Sequence, residues 1–353
     1  MKEIKETDMT MQQEPIQENK MGVLPIRPLL LGMAWPAILS MTISALYNIV
    51  DSIFVAKLSE DALTAVSIVS PIQMLIIALS VGSGVGINSL IARRLGAHRQ
   101  EEADQAASTG LRIGVFNYLV FLLIGVCFTG IFVSGYAEKG GYIYQQAVIY
   151  MQIVCIGSFF LNMQVVFEKI LQSTGNMIAP MICSLTGAVI NIILDPILIF
   201  GLLGAPRLEV AGAAIATITG QLFGMLVGAL IIFKGEHLVN IQVKGFKFDW
   251  EIVADIYKVG LPSIVMQSIG SVMIIFYNMI LVVYSTTAVA VLGVYFKIQS
   301  FVFMPVFGLN QGAMPIMGYN YGARMRKRVY DALKVALIWA CVIMLLGTIA
   351  FLL

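Results

Sequence analysis

The sequence predicts an all-α, polytopic membrane protein built as two lobes on a parallel repeat of six helices each. The second lobe is expected to be incomplete, with about nine spans present of an expected twelve. Three observations carry this reading. Of 353 residues, 59% are hydrophobic and only 12% charged, about half the charge of a soluble domain. The apolar residues gather in recurring runs of roughly 20, the length a helix needs to cross a bilayer, without the short alternation of a membrane barrel. A single gapless offset of 226 positions relates Pro36 to Pro262, Ile72–Gln73 to Ile298–Gln299, Gly82 to Gly308, Gly86 to Gly312, and Gly96–Ala97 to Gly322–Ala323.

Taken in order, residues 1–24 are polar and of mixed charge. They read as a disordered cytoplasmic tail, because no short apolar core with a small-residue cleavage site follows. Nine spans follow at about 28–56, 62–91, 106–134, 142–171, 177–203, 210–233, 251–284, 288–318 and 330–353. The joins after spans 2, 4, 6 and 8 hold Arg93, Arg94, Arg99, Lys169, Lys234, Lys244, Lys247, Lys258, Arg324, Arg326, Lys327 and Arg328. The other joins hold only Lys57, Lys139 and Arg207. The basic side stays inside, so the amino terminus is expected in the cytoplasm and the chain in a bacterial-type plasma membrane. The long polar join from Lys234 to Trp250 divides an N-lobe, residues 25–240, from a partial C-lobe, residues 241–353.

The repeat pairs spans 1, 2 and 3 with spans 7, 8 and 9, each pair running in the same direction, a recurring transporter plan. By the same offset Leu353 corresponds to the middle of span 3. Partners of spans 4, 5 and 6 are therefore expected in a missing or separate C-terminal segment that completes the second lobe.

Polar residues inside the spans carry the functional expectation. Asn191 and Asp195 lie four apart in GAVINIILDPILIFGLLG, one turn apart on one helix face. Pro196 has no N–H to return to the carbonyl of Ile192. Asp51 in span 1 and Thr217 in span 6 fall at a similar depth, roughly 10 Å below the outer surface at helical rise. Gly187, Ala188, Gly212, Ala213 and Ala214 would let these helices approach closely. Ionisable groups at such depth are functional by default. Two carboxylates, an amide, a hydroxyl and a freed carbonyl are hard oxygen donors suited to H⁺ or Na⁺, not to zinc or copper. Read alone, Asn191 fits a helix–helix hydrogen bond as well as a ligand. The four cysteines are isolated in apolar runs, and neither His98 nor His237 has a second ligand nearby. No other cofactor is expected.

The runs YNIVDSIFVAKL, LQSTGNMIAPM, NIILDPILIFG and VAGAAIAT, with PVFGLNQGAMPIMGYNYGA in the second half, resemble the multidrug and toxic compound extrusion (MATE) family. The likeness extends from about Leu24 to Leu353, with the motifs in order. It implies a two-lobed antiporter, not an enzyme, exporting drugs or metabolites against inward Na⁺ or H⁺ flow. The family's N-lobe cation site would fall on Asp51, Asn191, Asp195 and Thr217. Some members carry acids in the C-lobe helices; span 7 here has Gln267 and Asn278 but no acid.

Around such a site, Met41, Met163, Gln267, Lys297 and Phe301 are candidates for a small-molecule cavity. Lys297, about ten residues into span 8, either pairs across the lobes or snorkels outward. Glu168 beside Lys169 reads as an interfacial ion-pair residue. GSGVG at 82–86 lacks the GK[ST] ending of a phosphate loop and reads as helix packing. The partners expected are a small-molecule cargo and the lipid bilayer, with no nucleic acid. A lipid-linked sugar flippase of a related plan would need a cationic cavity; a receptor or intramembrane enzyme would need a soluble domain or a nucleophile with a base. A chain lacking half of one lobe could also be a non-functional fragment.

Overall fold

The structure, a computed structural model, describes residues 19–235, 239–241, 249–284 and 286–352. After a short α1 (Lys20–Val23) come the long helices α2 (Ile26–Ala56), α3 (Glu60–Gly96) and α4 (Gln100–Leu123). A π-helical turn at Ile124–Phe128 joins α4 to α5 (Thr129–Ser134). Then follow α6 (Tyr142–Ser173), α7 (Ile178–Phe200), α8 (Glu209–Lys234), α9 (Trp250–Tyr284), α10 (Thr286–Gly322) and α11 (Arg326–Leu352). The sequence predicts nine spans; eight helices among the described residues are long and apolar enough to cross a membrane. The ninth expected span falls on α10, where many side chains lie outside the described residues. Large apolar side chains such as Trp35, Phe116 and Ile131 stay exposed on the outside of the bundle, as a lipid-facing surface requires.

The helix ends obey local chemistry. Ser59 caps α3 by accepting from the amide of Ala62, Glu60 and Asp61 follow in the first turn, and Arg93 and Arg94 close the last. Both sets complement the helix dipole. The tail ends earlier than residue 24. Asn19 caps α1, Met21 is fully buried, and Arg328 donates to the carbonyls of Met21 and Leu24 at 3.0 and 2.7 Å. Met21 is the residue of this stretch that the fold buries. Residues 1–18, and with them most of the expected tail, lie outside the described residues, as do Lys244 and Lys247.

Within the N-lobe α3, α4, α6, α7 and α8 pack around one another, with α2 along α7. The lobes meet where α3 packs on α9 and α2 on α10. The offset seen in the sequence is what makes this seam. A Cβ on Gly82 would strike the backbone of Ile264, and one on Gly308 the backbone of Ile38. A Cβ on Gly96 would strike the carbonyl of Tyr319, and one on Gly322 the carbonyl of Arg93. Ile38 and Ile264, and Arg93 and Tyr319, are themselves 226 positions apart. Each repeat thus brings the same glycine face to the same partner, and the lobes approach backbone to backbone as small residues permit. At the basic end Arg94 bridges Glu102 of α4 at 2.6 Å and Asp255 of α9 at 3.4 Å.

Candidate functional site

Three helices build the site. On α7, Asn191 and Asp195 stand one turn apart, and the amide of Asn191 donates to Asp195 Oδ1 at 3.3 Å and to Thr217 Oγ1 of α8 at 3.5 Å. Both α7 residues are buried, Asp195 completely. Asp51 comes from α2 and acts electrostatically on Asp195. The structure therefore joins Asn191, Asp195 and Thr217 by hydrogen bonds and places Asp51 on α2, the helix that packs along α7.

Backbone contact sets the geometry. Gly187 and Gly220 face each other: a Cβ on either would meet the other's carbonyl oxygen, at 3.0 and 2.6 Å. Gly212 lies as close to the carbonyl of Leu198. Pro196 sits inside α7 without ending it. The helix stops instead at Gly201, whose φ of 75° lets the chain turn and Leu208 donate back to Leu198. Gly187 and Gly212 fall where the sequence analysis places small residues; it does not single out Gly220, which lies one turn from Thr217 on α8. Gly220→Val should push on the Cβ of Asn191, which lies 3.2 Å from where the added Cβ would stand. The expected outcome is a loss of about 1–3 kcal/mol in unfolding measured in detergent, with weakened cation binding.

The polar atoms are incompletely satisfied. Among the described residues, Asp51 Oδ1, Asn191 Oδ1 and Asp195 Oδ2 are buried without a hydrogen-bond partner. Leaving a buried acceptor unpaired costs about 1–3 kcal/mol each, more for a carboxylate. Three such oxygens from two packed helices form a donor set that fits a hard cation or a proton. Among the described residues no group of three or more His, Cys, Asp or Glu could hold a metal ion, so the set is the mixed one of acid, amide and hydroxyl.

A cavity of about 170 Å³ reaches the site at Asn191 and Thr217 and is also lined by Met41, Tyr47, Glu168 and Lys169. Of the other cavity candidates, Met163 is buried in the core, where a Cβ on Gly114 would meet its methyl group. Gln267 lies on α9, away from this wall. Lys297 and Phe301 lie on α10, their side chains outside the described residues.

Sequence reasoning missed several groups. Tyr47 on α2 and Tyr150 on α6 each sense the charges of both Asp51 and Asp195. Tyr47 was legible, being four residues before Asp51; Tyr150 carries no such local mark. Lys169, expected in a loop, is on α6 and only 5% exposed. It makes no salt bridge with Glu168 among the described residues, because adjacent helical side chains diverge. Glu168 instead accepts from Gln164 at 2.9 Å and from Ser184 of α7 at 3.0 Å.

A profile of the MatE family matches residues 36–197 and 262–353. Among known proteins, the chain is 26% identical to the multidrug export protein MepA of Staphylococcus aureus over 326 residues, 92% of this chain and 70% of MepA. It is 28% identical to MepA of Staphylococcus haemolyticus, covering 87% of this chain and 67% of that protein. A solved multidrug resistance MATE family transporter of the MOP superfamily, in its outward-facing conformation, superposes with a TM-score of 0.89 at 29% identity, covering 96% of this chain and 74% of the other. A MOP superfamily transporter from Pyrococcus furiosus, described as having a binding pocket of reverse polarity, superposes with a TM-score of 0.84 at 28% identity, covering 94% and 73%.

Proposed function

This chain belongs to the MATE family of efflux transporters, and on that premise we propose that it is a secondary antiporter driven by inward H⁺ or Na⁺ through Asp51, Asn191, Asp195 and Thr217. The cargo is a drug or other small organic compound. The observation that carries the reading is the trio of buried, unpartnered oxygens on Asp51, Asn191 and Asp195. An empty site keeps two carboxylates in mutual repulsion. A cation arriving from the side opposite the basic joins occupies these oxygens and removes that repulsion. Tyr47 and Asp51 share α2, so relief of the repulsion lets α2 shift against α7 and α8 and reshape the cavity wall that Met41 and Tyr47 form. Cargo then loses its seat and leaves as the lobes rock.

A lipid-linked sugar flippase calls for a cationic cavity, whereas Glu168 and several neutral amides share this wall with Lys169. The antiport reading is tested by reconstituting the protein in vesicles and imposing Na⁺ and pH gradients separately. One of the two gradients, inward-directed, is expected to accelerate export of a fluorescent organic cation. Export at the same rate with neither gradient sinks the reading.

A further inference from the structure

We propose that Asn320 and Arg328, at the corner of α10 and α11, form a clasp on α1 that keeps the two lobes closed at the basic end, and that the lobes part there only when the clasp lets α1 go. This goes beyond the export reading and rests on it only in taking the lobes to part at this end. Four residues make barely one turn of helix, too little to persist unaided. What holds α1 comes from both lobes. On the N-lobe side the amide of Asn19 donates to the carbonyl of Thr174 at 3.4 Å, and Gly175, with a φ of 88°, lies against Lys20 and Met21. On the C-lobe side the carbonyl of Met21 accepts from Asn320 at 2.9 Å and from Arg328 at 3.0 Å, and the carbonyl of Leu24 accepts from Arg328 at 2.7 Å. Asn320 is fully buried and itself accepts from Arg328 Nε at 2.8 Å. A helix end leaves carbonyls unpaired, and here one guanidinium fork and one amide take them up.

The repeat places the same corner in both lobes. Asn320 and Arg328 stand 226 positions after Arg94 and Glu102. In the N-lobe that pair is joined at 2.6 Å, and Arg94 reaches across the seam to Asp255 near the start of α9. Each lobe thus grips the chain where it enters the other: α9 by an ion pair, α1 by its carbonyls. Between the two corners the seam of Gly96 and Gly322 closes backbone to backbone. The grips differ in kind. The pair of Arg94 and Asp255 is long and partly exposed, so salt screens it. Arg328 makes charge-assisted hydrogen bonds beside a buried asparagine, and these are the stronger sort. Leu24 and Pro25 have extended backbone, so α1 can swing on them without unwinding α2.

The test places spin labels on Gln105→Cys in α4 and Tyr330→Cys in α11, both exposed near the basic end, with the exposed Cys127 and Cys341 replaced by serine. Distances between the labels are read in the full chain in nanodiscs over a range of Na⁺ concentration and pH, alongside hydrogen exchange of residues 19–24. Arg328→Met is expected to enrich the longer-distance population about tenfold or more and to speed exchange in 19–24 by a similar factor. Gly22→Val, whose Cβ would meet the ring of Tyr319 at 3.0 Å, should lift α1 from α10 and do the same; it gives the readout should Arg328→Met fail to insert. Arg326→Gln, at an exposed position two residues away, should change neither; a shift of equal size there assigns the effect to lost charge and overturns the clasp. Faster exchange in 19–24 without a longer distance shows that α1 does not govern closure and overturns the proposal, as does unchanged exchange in both Arg328→Met and Gly22→Val. A longer distance in the parent protein that neither variant enriches overturns the clasp and leaves the export reading standing. No longer distance in any variant or condition overturns both.

Discussion

Replacing Asp51 and Asp195 together by asparagine is expected to abolish gradient-driven export while leaving the protein folded. Asparagine keeps the shape of each side chain and can still hydrogen-bond. It cannot be charged, and it cannot take up and release a proton. The double variant would therefore resemble the ion-occupied state at all times: the repulsion between the two sites is gone, and an arriving cation has nothing to change. Coupling between sites typically amounts to about 1–3 kcal/mol, or roughly 5–150-fold in affinity. The ratio of export with and without the driving gradient should fall from that range to about one. Stability in detergent should hold or rise, since two buried charges with unpartnered oxygens disappear. Gradient-dependent export at the wild-type rate in the double variant would remove the carboxylates from the mechanism.

The second large effect is expected at the lobe seam. Gly96→Val would drive a branched side chain into the carbonyl of Tyr319, and Gly322→Val into the carbonyl of Arg93. Neither backbone can yield without parting α3 from α10. Overpacking of this kind costs about 1–3 kcal/mol, and here the cost falls only on the state in which the seam is closed. A difference of that size moves a two-state population by roughly 5–150-fold. Hydrogen exchange in segments 86–96 and 312–322 should accelerate, and export should drop because one end of the cycle is disfavoured. Gly32→Ala is the matching control, since a Cβ there meets nothing within 4 Å. If the two valine variants exchange and export like Gly32→Ala, the seam does not govern the cycle.

Much of this was legible along the chain because the relevant physics is local. The residues Asn191 and Asp195 announce a shared face by a four-residue spacing, and Tyr47 stands in the same relation to Asp51. The 226-residue offset was visible as recurring glycines, and a glycine's use in a membrane helix is close approach. Other features have no local signature. Lys169 looks like a cytoplasmic basic residue because it lies near a helix end beside a loop. Its surroundings come from far along the chain: Gly84 of α3 lies against its stem, and Gln311 of α10 accepts from its ammonium. Tyr150 is one aromatic among many in its span, and nothing in its local sequence marks its burial. Met163 has the character of a cavity residue, but the room beside Gly114 takes it into the core. In residues 19–24 Met21 is buried, and Asn320 and Arg328 from the far end of the chain donate to its carbonyl.

The membrane class, the helical spans, the repeat and the four polar residues of the candidate cation site are all written along the chain. They follow from side-chain transfer into lipid and from helical periodicity, which act over a few turns of helix. Packing had to be known before it was clear which oxygens remain without partners, which glycines carry the lobe seam, and that a lysine lies buried on the cavity wall. Those depend on side chains brought together from distant helices, and no property of a single segment encodes the distance between two of them.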